Sequence, residues 1–201
     1  MWEVIQDAGW PIWPLIFTSM VAFAVIVDRL VALRDSVVIP ENLVSDLELQ
    51  LQDGPLDKDA LERLGKNSLS GLMLATAIEN QSESPEILND AIVKTGDSIS
   101  HQLEKYLFIL AMIATVAPLL GLFGTIVGMV ELFSSFTSNG QDVEQFARGI
   151  SVALYNTGGG IVVAIPAMIG YKSFRAKIDH QIHVMENNAQ RIINFCSVGG
   201  K

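Results

Sequence analysis

Three stretches of this chain run for twenty positions or more without a charged residue: Ala8 to Val27, Tyr106 to Val130 and Gly149 to Tyr171. About twenty apolar residues cross the hydrocarbon core of a bilayer as a helix. A helix is the form required there, because lipid offers nothing to hydrogen-bond a stray backbone N–H or C=O. The pattern therefore predicts membrane spans at about 10–27, 107–130 and 149–171. Trp2, Trp10 and Trp13 gather at the start of the first run, as an aromatic belt does at a membrane interface. Arg29 and Arg34 follow that run, and Lys172, Arg175 and Lys177 follow the third, whereas Glu3 and Asp7 precede the first. The excess of cations on the cytoplasmic side sets the N-terminus outside and the C-terminus inside. The N-terminal residues lack the basic start and small-residue cleavage site of a signal peptide, so they are expected to be retained.

Outside the spans the pattern becomes amphipathic. The segment 28–105 carries about twice as many acidic as basic residues and cannot enter lipid. Within it, Leu43, Leu47 and Leu51 recur at spacing four after Pro40-Glu41, Asp57 can cap a short helix with Ala60, Leu61 and Leu64, and residues 68–80 make a third candidate. Gly54-Pro55 and Gly65 punctuate these pieces. Ser84-Pro85 is a helix start, since serine accepts from an orphan N–H and proline at the first position loses nothing. From there Leu88, Ala91 or Ile92, Thr95, Ile99, Leu103 and Tyr106 recur at three and four, which predicts one helix running unbroken into the second span. Residues 131–148 read as a short external loop, turning at Ser138-Asn139-Gly140-Gln141-Asp142. In the tail, Ile178, Ile182, Met185, Ala189, Ile192 and Cys196 alternate four and three, a heptad seam that continues the third span as one helix. The expected fold is an all-α membrane protein with three transmembrane helices, two of them extended into a cytoplasmic helical bundle formed by 28–105 and 172–201.

Composition narrows the function. Half of the residues are hydrophobic, as in an integral membrane protein. A net charge of −9 leaves no basic surface for phosphates, which excludes nucleic-acid binding. The single cysteine, Cys196, cannot form an internal disulfide and is read as inert.

None of the three spans contains Asp, Glu, Lys, Arg or His. Carriers of ions or protons usually need a titratable group at membrane depth, and this chain alone has none there. It offers hydroxyl and amide groups instead: Thr125 in the second span, and Asn156 and Thr157 in the third. Gly121, Gly124, Thr125 and Gly128 share one face, and Gly149, Ala153, Thr157, Gly160, Ala164 and Ala167 form a similar stripe. Such stripes let helices approach closely. A mid-span threonine can also simply return its hydroxyl to the carbonyl four residues back, and Pro118 and Pro166 can be plain kinks. His180 and His183, beside Asp179 and Glu186, have a spacing compatible with a metal but read better as an exposed polar face, and no metal or other cofactor is expected. An intramembrane enzyme is disfavoured, since no span pairs a nucleophile with a base.

The stretch from Ala117 to Met129, APLLGLFGTIVGM, closely resembles the second-span motif of the ExbB/TolQ/MotA proton-channel family. Gly149 to Thr157, followed by Gly158-Gly159-Gly160 and Ala164-Ile165-Pro166-Ala167, resembles its third-span motif, and Trp13-Pro14-Leu15 with Val27-Asp28-Arg29-Leu30 resembles an ExbB-type opening. The resemblance covers essentially the whole chain and is strongest over 107–177. It implies a non-enzymatic motor subunit of the bacterial inner membrane, in a homo-oligomeric ring, typically a pentamer, around single-span helices of an ExbD/TolR-like partner. A partner aspartate would supply the carboxylate that these spans lack, and protons are the transported species. By match to the motifs, Thr125, Thr157 and Asn156 would line the proton pathway. Pro118, Gly121, Gly124, Gly128, Ala153, Gly160 and Pro166 would serve helix packing and face the partner. The length and opening tilt the resemblance to ExbB, which implies a TonB-like protein and TonB-dependent uptake; a TolQ-like role, or a scaffold that does not conduct, are the alternatives. Val152 departs from the pattern, standing where many ExbB and TolQ chains carry a glutamate.

Overall fold

The computed structural model describes residues 10–139 and 143–199, without the side chains of residues 53, 134–139, 143–146, 148, 152 and 198–199. Trp2, Glu3, Asp7, the turn residues 140–142 and the side chain of Val152 thus lie outside the described part. All regular structure among the described residues is helical: α1 (Ile12–Ala32), α2 (Asp35–Val38), α3 (Leu43–Asp53), α4 (Lys58–Asn67), α5 (Leu69–Glu79), α6 (Pro85–Leu103), α7 (Leu107–Asn139) and α8 (Val143–Gly199). Among the described residues, three helices are long and apolar enough to cross a membrane, over Ile12–Ala32, Leu107–Phe133 and within Gly149–Ser197.

The chain divides into two compact units, one from Met1–Asp28 and Tyr106–Ser173, the other from Arg29–Lys105 and Phe174–Lys201. In the first unit the buried positions are mostly small or aliphatic, among them Leu110, Ala117, Ala153 and Ala167, each at most 1% exposed. Large side chains such as Phe17, Phe23, Leu119, Phe123, Val162 and Ile169 face outward instead. That inversion of the soluble pattern suits lipid, where large apolar groups cost nothing outside and close packing needs small groups inside.

The second unit packs α5 against α4 and α6. Met73, Leu74, Ala77, Ile99, Ile178, Met185, Ala189 and Ile192 are fully buried in it. The capping signals act as the sequence implies. Asp57 accepts from the Lys58 N–H at the start of α4, and Ser84 from the Ile87 N–H at the start of α6. Ser68 closes α4 and opens α5, its Oγ accepting from the Gly71 N–H at 2.9 Å. Gly71 is required by close approach, since a Cβ there would collide with the Leu64 carbonyl oxygen.

Three expectations are corrected. First, the helix that was to run unbroken from Pro85 into the second span stops at Leu103, and α7 begins afresh at Leu107. Tyr106 between them has φ of 72°. A left-handed residue cannot continue a right-handed helix, and for a residue with a Cβ it costs about 1–2 kcal/mol. Periodicity misses this because the apolar spacing stays in register across the break. At the end of α6, the buried Arg29 donates from Nη1 to the Leu103 carbonyl at 3.1 Å, meeting one of the acceptors a helix C-terminus leaves open. Glu104 pairs with Arg175 at 3.2 Å.

Second, most of the presumed loop 131–148 is helical: α7 continues to Asn139 and α8 starts at Val143. Polar residues at the ends of a span extend its helix readily, because the hydrogen bonds are local and water can take the side chains. Third, the tail seam is shifted at one place. Ile178, Met185, Ala189 and Ile192 are buried as expected, but Gln181, not Ile182, is fully buried with them. Its Nε2 donates to the Leu33 carbonyl at 3.1 Å and to Asp35 Oδ1 at 2.7 Å, fastening the turn after α1 to α8.

A hydroxyl pair where two spans cross

The crossing of α7 and α8 is built from missing side chains. A Cβ on Gly121 would stand 2.6 Å from the Asn156 carbonyl oxygen and 3.1 Å from Thr157 Cα; one on Gly160 would stand 2.6 Å from the Ala117 carbonyl oxygen and 3.2 Å from Pro118 Cα. Backbone thus lies on backbone at this point, and neither helix can yield. Gly124 opens the next space, which the Asn156 side chain fills: a Cβ on Gly124 would meet Asn156 Cβ at 2.9 Å. Asn156 is 3% exposed. Gly128 is less constrained, with Ala153 Cβ at an ordinary 3.5 Å. Farther along, Gly149 lies against Leu132.

This close approach brings the two threonines together. Thr125 Oγ1 and Thr157 Oγ1 are 2.5 Å apart, at hydrogen-bonding distance. Thr125 Oγ1 also reaches the Gly121 carbonyl at 3.1 Å and the Ala153 carbonyl at 3.0 Å. Thr157 Oγ1 reaches the Gly121 carbonyl at 3.4 Å. Both threonines are half-buried. The two readings of a mid-span threonine are therefore both present, since Thr125 returns to the carbonyl four residues back and also bonds across to the facing helix.

Of the candidate residues, Thr125, Thr157, Asn156, Pro118, Gly121, Gly124, Gly128, Ala153 and Gly160 gather at this crossing. Pro166 does not: it lies inside α8 with its side chain exposed. Ala117 was missed, although it is fully buried and lends its carbonyl to the contact with Gly160. Its signal was in the sequence, four residues before Gly121 on the same helical face. The carbonyls of Gly121 and Ala153 could not have been found that way, because a backbone acceptor has no residue-type signature. Elsewhere, Trp10 meets Phe123 edge-on, with ring centroids 6.0 Å apart. His183 Nδ1 lies 4.0 Å from Glu186 Oε2, and no group of three metal-ligating side chains occurs among the described residues.

Chemically, the crossing is an uncharged cluster of oxygens in an apolar layer. It can pass or accept hydrogen bonds, but it cannot take up or release a proton near neutral pH by itself.

Comparison with known proteins agrees in kind. Residues 58–187 match the profile described as the MotA/TolQ/ExbB proton channel family. The chain is 24% identical over 191 residues to biopolymer transport protein exbB1 of Vibrio cholerae, covering 92% of this chain and 83% of that protein. It is 39% identical over 84 residues to biopolymer transport protein ExbB of Helicobacter pylori, covering 41% of this chain and 58% of that protein. Tol-Pal system protein TolQ of Haemophilus influenzae is 35% identical over 78 residues, 38% of this chain and 34% of that protein.

Proposed function

Because the chain belongs to the MotA/TolQ/ExbB proton channel family, we propose that it is a proton-driven motor subunit of the bacterial inner membrane, working as a homo-oligomeric ring around a single-span partner. The observation that carries this reading is the paired hydroxyls of Thr125 and Thr157, held at the crossing of two spans that contain no Asp, Glu, Lys, Arg or His over Tyr106–Val130 and Gly149–Tyr171. Such a site is half of a proton path. The other half is a carboxyl group on the partner's membrane helix, of the ExbD/TolR kind. Protonation of that carboxyl removes its charge and lets the partner helices move relative to the ring. A charge crossing the membrane releases about 2.3 kcal/mol per 100 mV, enough to drive such a step. With an ExbB-like opening and ExbB relatives, the output is energy for TonB-dependent transport at the outer membrane through a TonB-like protein. The N-terminus is periplasmic, and the second unit works on the cytoplasmic side.

Two other readings have support. The match to TolQ favours a role in the envelope system named for that relative. The internal satisfaction of Thr125 by backbone carbonyls favours a scaffold that holds partner helices without conducting.

Thr157→Val keeps the shape and deletes the hydroxyl. In a motor it lowers proton flux and energy-dependent uptake by about tenfold, the equivalent of ~1.4 kcal/mol on a barrier, while the complex still assembles. Unchanged flux with normal assembly favours the scaffold. Deletion of the single-span partner separates the systems, by loss of TonB-dependent uptake in one case and of envelope constriction in the other.

A further inference from the structure

Two hydroxyl oxygens 2.5 Å apart must have a proton between them, because their lone pairs repel otherwise. Thr125 and Thr157 own one hydroxyl proton each, so the pair uses one and a single proton remains. Where it goes decides what the site can bind. If Thr157 donates to Thr125, the remaining proton belongs to Thr125 and has carbonyls at 3.0 and 3.1 Å, those of Ala153 and Gly121. If Thr125 donates to Thr157, the remaining proton belongs to Thr157, whose carbonyl neighbour, that of Gly121, is 3.4 Å away. The first order makes two short hydrogen bonds and the second makes one. The first is therefore the resting arrangement. In it Thr157 has lone pairs to offer and no proton.

We propose that Thr157 is poised as a hydrogen-bond acceptor, so that the site receives the protonated, neutral form of an incoming carboxyl group in preference to its anion. Thr125 is the positioning residue that sets this polarity. The identity of the incoming group rests on the function proposed above, while the polarity rests on the hydroxyl geometry alone. Thr157 is only half-buried, which leaves part of it open to an incoming group. To receive an anion the order must reverse: Thr157 turns its proton outward, Thr125 turns its own to Thr157, and the short bond from Thr125 to a backbone carbonyl is given up. Each threonine keeps its own proton throughout. The backbone carbonyls of Gly121 and Ala153 thereby bias which protonation state of the partner rests against the ring.

Polarity is read on the isolated chain, from the carbonyl carbon NMR shifts of Ala153 and Gly121 in isotopically labelled protein. Thr157→Val is expected to leave both unchanged, because Thr125 already donates there, and Thr125→Val to move at least one upfield. A downfield move of Ala153 in Thr157→Val overturns the proposal, since it shows that the Thr125 proton had been pointing to Thr157. The consequence is read in liposomes holding the chain with its single-span partner, by proton flux against pH. Thr125→Val frees the Thr157 proton for an anion, so the pH of half-maximal flux falls by about half a unit or more, the size of one net hydrogen bond. Thr125→Ser restores the wild-type midpoint. A conducting wild type whose midpoint stays or rises in Thr125→Val overturns the proposal. A wild type that conducts no protons overturns the motor reading instead, and the NMR shifts still decide the polarity.

Discussion

At the scale of single residues, the glycines of the crossing are unequal in a way the motif conceals. Gly121 and Gly160 each face a backbone carbonyl at 2.6 Å from a would-be Cβ, whereas Gly128 faces a methyl group at 3.5 Å. Backbone cannot move aside without shifting a whole helix, so Gly121→Ala and Gly160→Ala are expected to destabilise by about 1–3 kcal/mol, the usual range for overpacking. Gly128→Ala gains contact and is expected to be near neutral. Thermal unfolding in detergent checks this, and equal losses at all three positions would show that the spans do not cross where described. Asp35 is a second residue with a specific expectation. Its hydrogen bond from Gln181, followed by Lys177 and the field of His180, outweighs desolvation and holds its carboxyl below the ordinary value of 3.8. A carboxyl whose folded pKa is depressed adds stability above its unfolded pKa and loses it as pH falls through the folded value. The stability of the second unit should therefore fall on acidification below about pH 4. Asp35→Asn should flatten that acid limb in circular-dichroism melts, and the effect should be small because the side chain is 70% exposed.

At the scale of elements, the informative feature is the break between α6 and α7. Glycine and alanine separate the two possibilities with opposite signs. In a continuous helix, glycine at position 106 is worse than alanine by about 1 kcal/mol. At the observed φ of 72°, glycine is better than alanine by a similar amount. Comparison of Tyr106→Gly with Tyr106→Ala by unfolding midpoint is expected to favour glycine. In α8 the interior Pro166 removes one backbone donor, yet the helix continues past it on both sides. Cys196, near the end of α8, is half-buried, and burial pushes its thiol above the ordinary range. Slow labelling by maleimide at neutral pH is the expected outcome.

At the scale of the whole molecule, the outward rows of Leu119, Leu122, Phe123 and Ile126 on α7, and of Leu154, Ile161, Val162 and Ile165 on α8, leave one copy with a broad exposed apolar surface. Lipid, partner helices and further copies of the chain are the covers available to a membrane helix. Under the motor reading a ring of copies takes part of that surface. Native mass spectrometry of the detergent-extracted complex should then show a multiple of 21.9 kDa, about fivefold, with partner chains added. A monomer under mild extraction would remove the ring.

The three spans, their all-helical nature, the cap at Ser84-Pro85 and most of the tail seam were determined by sequence alone. Each follows from a local property: a charge-free run of twenty residues or more suits lipid, and a hydrogen-bonded helix satisfies its own backbone there. The small-residue faces were legible for the same reason, as a periodicity along one helix. Tertiary structure decided the rest. Whether Tyr106 leaves the helix, whether Gln181 or Ile182 turns inward, and which carbonyl takes the proton of Thr125 depend on atoms brought near from elsewhere in the chain, at separations no period records. The threonines could be named from the sequence, but the direction of the hydrogen bond between them exists only once Gly121 and Gly160 have let the two backbones meet.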